Sequence, residues 1–212
     1  MIAAQVGTKL DGLTRSSPEQ NYHPWSVRAA ASGITDDEWV WWSLPVPPTQ
    51  NLRFVDHCEF EAPADPPEVT ARLMNMLSPL NQKTLENAIN LNHRLAGTGY
   101  KRTRRLDNGD KTQKLDIRFD GVAECLRTPT GGSSRQVVIM VENGDVRTRM
   151  MTVRETARLM GASDEFKVPG SYYDGYRAMG DAVCVPVVRW IGEYLLSPLF
   201  LRNASSYLVA AE

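Results

Sequence analysis

Apolar and polar positions recur along the chain with two different periods, and each change of period marks a predicted element. From Pro67 to His93, Val69, Leu73, Met76 and Leu77 fall at helical spacing, Pro79 interrupts, and Leu80, Leu85, Ile89 and Leu91 continue, so two short helices are expected. From Gly97 to Gly121 the pattern is β-prone on both sides of Asp107-Asn108-Gly109-Asp110, a tight hairpin turn. "QVVIMVENGDVRTRMMT" gives a second hairpin that turns at Asn143-Gly144. Thr152 then opens a helix at about Val153, with Glu155 at the capping-box position three residues on. Ala157, Met160, Val153 and Thr156 are expected on its packed face, and Arg154 and Arg158, next to Glu155, on another.

The run from Tyr176 to Leu196 reads as a Gly180-Asp181 turn leading into a helix with Pro186 near its first turn. Val183, Val187, Val188, Ile191 and Leu195 make that helix apolar nearly all round, and such a helix wants burial on several sides. A Gly-Asp turn at a helix N-terminus would present free N–H groups and one carboxylate, suited to a zwitterionic small molecule; the alternative is an ordinary cap. Residues 1–37 carry scattered Gly, Pro, Ser and Asn with little periodicity and read as an irregular segment. "EWVWWSLP" (Glu38 to Pro45) reads as a short strand packed on the core, in preference to an exposed aromatic platform.

With 212 residues and 42% hydrophobic content, the chain has enough apolar material for a real core. No uninterrupted apolar run has the length of a membrane span and no signal peptide is visible, so the expected compartment is the cytoplasm. Cys58, Cys125 and Cys184 lack metal-ligand spacing and are expected as reduced thiols, with no metal. Charge is distributed unevenly. Residues 1–70 hold four Lys/Arg against ten Asp/Glu, whereas residues 101–158 hold thirteen against eight, making the middle of the chain the candidate anion-binding surface. Lys101, Arg102, Arg104 and Arg105 lie on the first arm of the first hairpin, and their donors suit phosphate and guanine edges; a solvated basic hairpin is the alternative. Gly97 and Gly99 ahead of them suggest a mobile loop. "CLRTPTGGSSRQ" (Cys125 to Gln136) is a polar loop in which Arg127, Thr128, Gly131, Gly132, Ser133, Ser134 and Arg135 could approach a phosphodiester backbone.

In order, these stretches resemble the C-terminal half of bacterial DNA cytosine-5 methyltransferases. "TVRETARLMG" is similar to the family's ninth motif, Arg-Glu-x-Ala-Arg-Leu, and marks Thr152, Arg154, Glu155 and Arg158 as structural residues. "AMGDAVCVPVVRWI" resembles the tenth motif, Gln-x-Gly-Asn-(Ser or Ala)-Val and an apolar helix, with Ala178 and Asp181 where Gln and Asn are usual. The likeness runs from about Gly97 to Leu196. It implies a target recognition domain, mostly β, that reads duplex DNA in the major groove while a cytosine is flipped out. It also implies that Gly180, Asp181, Ala182 and Val183 sit beside the methionine part of S-adenosylmethionine, where Asp181 could accept from the ammonium. Where members often start the second recognition loop with Thr-Leu, this chain has Cys125-Leu126.

The family's chemistry needs a Pro-Cys thiolate and the Glu of a Glu-Asn-Val motif, and neither motif occurs in the 212 residues, nor does the Phe-x-Gly-x-Gly loop of the cofactor domain. The expected fold is therefore α+β: residues 1–37 irregular, residues 38–149 a small target recognition domain with flanking helices, and residues 150–212 the ninth and tenth motifs. The C-terminal helix would complete the Rossmann-like α/β domain of a partner chain. The expected function is the DNA-recognition subunit of a split methyltransferase, with double-stranded DNA and an N-terminal catalytic subunit as partners and S-adenosylmethionine shared between the chains. The alternative is a non-catalytic DNA-binding or regulatory protein, or an inactive truncated methyltransferase.

Overall fold

The computed structural model describes residues 14–15, 23–34, 39–49, 51–105, 108–128, 135–168 and 170–200. In chain order the elements are β1 (Thr14–Arg15), α1 (Trp25–Ala31), β2 (Trp42–Ser43), α2 (Phe54–His57), α3 (Pro67–Met74), α4 (Pro79–Asn90), β3 (Leu95–Arg105), β4 (Lys111–Arg118), β5 (Val137–Glu142), β6 (Asp145–Met150), α5 (Val153–Leu159), α6 (Tyr172–Asp181) and α7 (Val185–Ile191), which continues as a π-helical turn, Gly192–Leu196. The chain divides into two compact units, residues 50–185 and residues 1–49 with 186–212.

The larger unit is built on a four-stranded antiparallel sheet in the order β4-β3-β5-β6. Because successive side chains point to opposite faces, the apolar run of β5 feeds two cores at once. Val137, Ile139 and Val141, with Leu95 and Leu115, pack under Leu73 and Leu77 around α3 and Leu85 and Ala88 of α4. On the other face Val138, Met140 and Ala96 meet Phe54 of α2, Met151 before α5 and Tyr176 of α6. Helices thus cover both faces of the sheet, and the mixed helix-and-sheet class expected from the pattern is the one observed. Pro79 separates α3 from α4, and Ser78 caps the second helix by accepting from the Asn81 N–H. The intervening residues bind the sheet edge: Leu115 N–H donates to the Met76 carbonyl at 3.1 Å, and Asn81 Nδ2 donates to the Leu115 carbonyl at 3.0 Å.

Gly97 and Gly99 do not form a loop. Both lie inside β3, because the neighbouring strand leaves no space for a side chain there: a Cβ on Gly97 would stand 2.5 Å from the Arg118 carbonyl and 2.8 Å from the Phe119 ring. Both strand pairings form as expected; Asp107 of the first turn lies outside the described residues, and the second hairpin turns through Asn143 and Gly144 at positive φ.

In the smaller unit, residues 25–31 form a helix where the sequence pattern had suggested irregular chain. The Trp-rich segment is not a core strand either. Only Trp42 and Ser43 pair, with Thr14 and Arg15, while Trp39 and Trp41 stack at 5.6 Å and His23 lies 4.4 Å from Trp41. Tyr172–Phe200 is long and apolar enough to cross a membrane by length and composition, although no apolar run in the sequence is uninterrupted over that distance. The α-helical backbone is interrupted within this stretch, at the extended Ala182 that caps α6.

Candidate nucleic-acid interface

The ninth-motif helix is capped as its sequence requires. Thr152 Oγ1 accepts from the Glu155 N–H at 3.1 Å, and the Glu155 carboxylate accepts from the Thr152 N–H at 2.8 Å. Glu155 does not stand on a charged surface beside Arg154 and Arg158, however. It is fully buried, and Arg149 of β6, 3% exposed, donates to both of its oxygens, at 2.5 and 2.7 Å. Glu59 N–H donates to the same carboxylate at 2.8 Å, while Arg149 also donates to the Glu59 carbonyl at 2.8 Å. Burial works against the Arg149 charge, but the hydrogen bonds and negative charge of Glu155 overcome it and hold the guanidinium above its ordinary pKa. Arg149 was not legible in the sequence: alternation along β6 groups it with Asp145 and Arg147, and its burial comes from α5 and the Glu59 segment, distant in sequence, that cover that face.

The other ninth-motif residues fasten α5 to its surroundings. Thr152 donates through Oγ1 to Glu59 at 2.7 Å, Arg154 donates to the Phe166 carbonyl at 2.9 Å, and Arg158 bonds both oxygens of Asp164, at 2.7 and 3.0 Å. Hydrogen bonding from Arg158 depresses the Asp164 carboxyl. Cys58 lies in the same neighbourhood, its thiol pushed up to about 12 by burial and by the charge of Glu155.

α6 organises the candidate recognition loop. Ser171 and Asp174 form a second capping box, and Tyr172, Tyr176 and Gly180 follow at four-residue spacing along one stripe. Arg135 stacks over the Tyr172 ring at 5.8 Å, and the buried Tyr176 hydroxyl accepts from the Gln136 N–H at 3.1 Å. At Gly180 a Cβ would lie 2.7 Å from the Arg127 and Thr128 backbone, and Thr128 Oγ1 donates to Asp181 at 2.9 Å. The described residues on both sides of positions 129–134 are therefore held on one helix. Gly131, Gly132, Ser133 and Ser134 lie outside the described residues. Gln136 reinforces the arrangement by donating to the Glu124 carbonyl and accepting from the Glu124 N–H, at 2.8 and 3.2 Å. Cys125 contributes its carbonyl, which accepts from the Tyr100 hydroxyl at 2.5 Å.

Gly180 and Asp181 end α6 and do not open the next helix, contrary to the expectation of an N-terminal turn with free N–H groups. The break falls after them, at extended Ala182, and a helix C-terminus presents carbonyl oxygens. That end, together with the Asp181 carboxylate, carries negative charge, with Arg177 Nε 3.9 Å from the same carboxylate. Ala182 and Val183 are exposed beside it. Within the larger unit, Val185 N–H donates to the Met160 carbonyl at 2.8 Å. Among the described residues, no three His, Cys, Asp or Glu side chains gather as a metal site.

The basic arm is the outer half of β3. Arg102, Arg104 and Arg105 are exposed and Lys101 half-buried, and Asp116 of β4 binds two of the four, Arg102 at 3.1 Å and Arg104 at 2.8 Å. The scaffold is α+β, with an arginine-bearing hairpin and two segments, ending at Thr128 and beginning at Arg135, held on a capped helix. The chain belongs to the C-5 cytosine-specific DNA methylase family, whose model matches residues 53–197. It is 41% identical over 61 residues to the type II methyltransferase M.NlaX of Neisseria lactamica, covering 29% of this chain and 20% of that protein. It is 31% identical over 100 residues to M.MspI of Moraxella sp, covering 47% and 24%, and 30% identical over 114 residues to M.BsuFI of Bacillus subtilis, covering 50% and 28%. The matched segments span about a fifth to a quarter of these relatives. No solved structure matches the chain.

Proposed function

We propose that this chain is the DNA-reading subunit of a split DNA (cytosine-5) methyltransferase. It reads a short duplex target and completes the S-adenosylmethionine site of a second polypeptide that carries the Pro-Cys nucleophile. The observation that carries this reading is the family match over residues 53–197 in a sequence with no Pro-Cys or Glu-Asn-Val. Two further features support it. The basic β3–β4 hairpin and the anchored segments flanking positions 129–134 are suited to phosphates and base edges. Val187 and Val188 of α7, 54 and 47% exposed, form apolar surface at the tenth motif that a partner would cover.

In this reading Lys101, Arg102, Arg104, Arg105, Arg127, Thr128, Gly131, Gly132, Ser133, Ser134 and Arg135 contact DNA, with residues 38–149 forming the recognition domain. Asp181, with Gly180, Ala182 and Val183, holds the ammonium end of the cofactor, which supplies the methyl group. Thr152, Arg154, Glu155 and Arg158 brace the recognition module against residues 150–212. The working compartment is the bacterial cytoplasm, on nucleoid DNA.

The test is reconstitution. The chain is mixed with a polypeptide carrying the Pro-Cys and Glu-Asn-Val motifs, and transfer of labelled methyl groups to duplex DNA is measured, with bisulfite mapping of the product. Activity only in the mixture is the expected result. Activity of this chain alone overturns the split assignment, and specific duplex binding with no gain of methylation in the mixture identifies a non-catalytic DNA-binding protein instead.

A further inference from the structure

The four basic residues of β3 are not equivalent, because strand geometry divides them between two faces. In the ladder with β4, Tyr100 lies opposite Asp116, Arg102 opposite Lys114 and Arg104 opposite Thr112, while Lys101 lies opposite Leu115 and Arg105 opposite Lys111. Alternation therefore puts Tyr100, Arg102 and Arg104 on one face and Lys101 and Arg105 on the other. Contacts identify each face. Leu115 is fully buried in the core formed with α3 and α4, so the Lys101 face is the scaffold side. Tyr100 bonds the Cys125 carbonyl, so its face is the one on which the recognition-loop stem lies.

On the Tyr100 face, Arg102 Nε and Arg104 Nη2 converge on one oxygen of Asp116, at 3.1 and 2.8 Å. Their side chains are 49 and 54% exposed, leaving guanidinium surface open to a ligand. A shared carboxylate fixes two long side chains before binding and so reduces the rotamer freedom lost on contact. Same-face strand neighbours stand about 6.6 to 6.8 Å apart, close to two base-pair steps of about 3.4 Å. An Arg fork matches the O6 and N7 acceptors of guanine.

Resting on the function proposed above, we infer that Arg102 and Arg104 are the base-reading pair and that Asp116 is the positioning residue that orients both. Lys101 and Arg105 supply sequence-independent attraction to the phosphate backbone.

The experiment selects duplexes from a randomised DNA pool with the full chain, then measures affinity for selected and scrambled duplexes across a salt series. R102K and R104K keep the charge and lose the fork. Each is expected to relax preference at one guanine-bearing position by about tenfold or more, with the salt slope unchanged. D116N should weaken preference at both positions without shifting the unfolding temperature, an outcome that a merely structural role would not give. Lys101→Ala with Arg105→Ala should lower affinity for all duplexes alike and reduce the salt slope. Unchanged sequence selection by R102K and R104K overturns the inference while leaving the DNA-reading function standing. Failure of the wild-type chain to select any sequence overturns both.

Discussion

At the scale of single residues, the sharpest energetic asymmetry lies between buried and exposed ion pairs. Glu155→Ala would leave Arg149 charged, buried and without its two carboxylate bonds, a change that costs about 3 to 5 kcal/mol when a buried pair is broken. Arg94→Ala breaks the exposed pair with Glu142 and removes the guanidinium over the Phe60 ring, and should cost no more than about 2 kcal/mol. Urea unfolding of the two variants measures the contrast, and equal losses would contradict it. Cys58 offers a second prediction. Its thiol rises from the ordinary 9.0 to about 12 in the folded chain, so the native state binds this proton more tightly than the unfolded state does. The resulting stability is fully present below about pH 9 and is lost as pH rises toward about 12. At pH 8 a maleimide should label exposed Cys125 rapidly and Cys58 only after denaturant is added, as peptide mass mapping would show.

At the scale of elements, the sequence was most legible where the signal is local. Pro79 splits two helices, Asn143-Gly144 turns a hairpin, and Thr152 with Glu155 caps α5, each decided within a few residues. Legibility failed where a distant neighbour sets the conformation. Gly97 looked like a source of flexibility because its reason for being glycine, the Arg118 carbonyl and Phe119 ring, lies more than twenty positions away. Gly180 was placed at the start of a helix for a similar reason: its close contact is the Arg127–Thr128 backbone. The Ser171 and Asp174 box had the same spacing as the box at α5 and was overlooked, which displaced the expected boundaries of α6. Gly97→Ala should cost about 1 to 3 kcal/mol, because the nearest obstruction is backbone that cannot rotate away. Thermal unfolding tests this against Gly109→Ala, where nothing lies within 4 Å and the positive φ is the sole source of strain.

At the scale of the whole molecule, the candidate site was legible as a set of segments but not as an arrangement. Charge drew attention to β3 and composition to the loop that begins at Cys125, yet only the fold places the Cys125 carbonyl against Tyr100 and Arg135 over Tyr172. Family membership rests on residues 53–197, which include most of the larger unit and all of α7. The exposed valines of α7 yield a prediction at this scale. Changing Val187 and Val188 to Glu should leave the unfolding of the chain unchanged and abolish methylation by the reconstituted mixture. Size-exclusion chromatography of the mixture should show loss of the complex, and retained association would exclude this surface as the contact.

The stripe of α6 that holds Thr128 at one end and Arg135 with Gln136 at the other also bears on how such a chain changes over generations. Positions 129 to 134 separate those anchors in the sequence, and the contacts named are made by Thr128, Arg135 and Gln136. On the function proposed above, exchange of residues 129 to 134 is expected to leave Tyr172, Tyr176 and Gly180 in place and the fold intact. Under that proposal, drift toward a new target sequence is expected to run faster in those six residues than in α6.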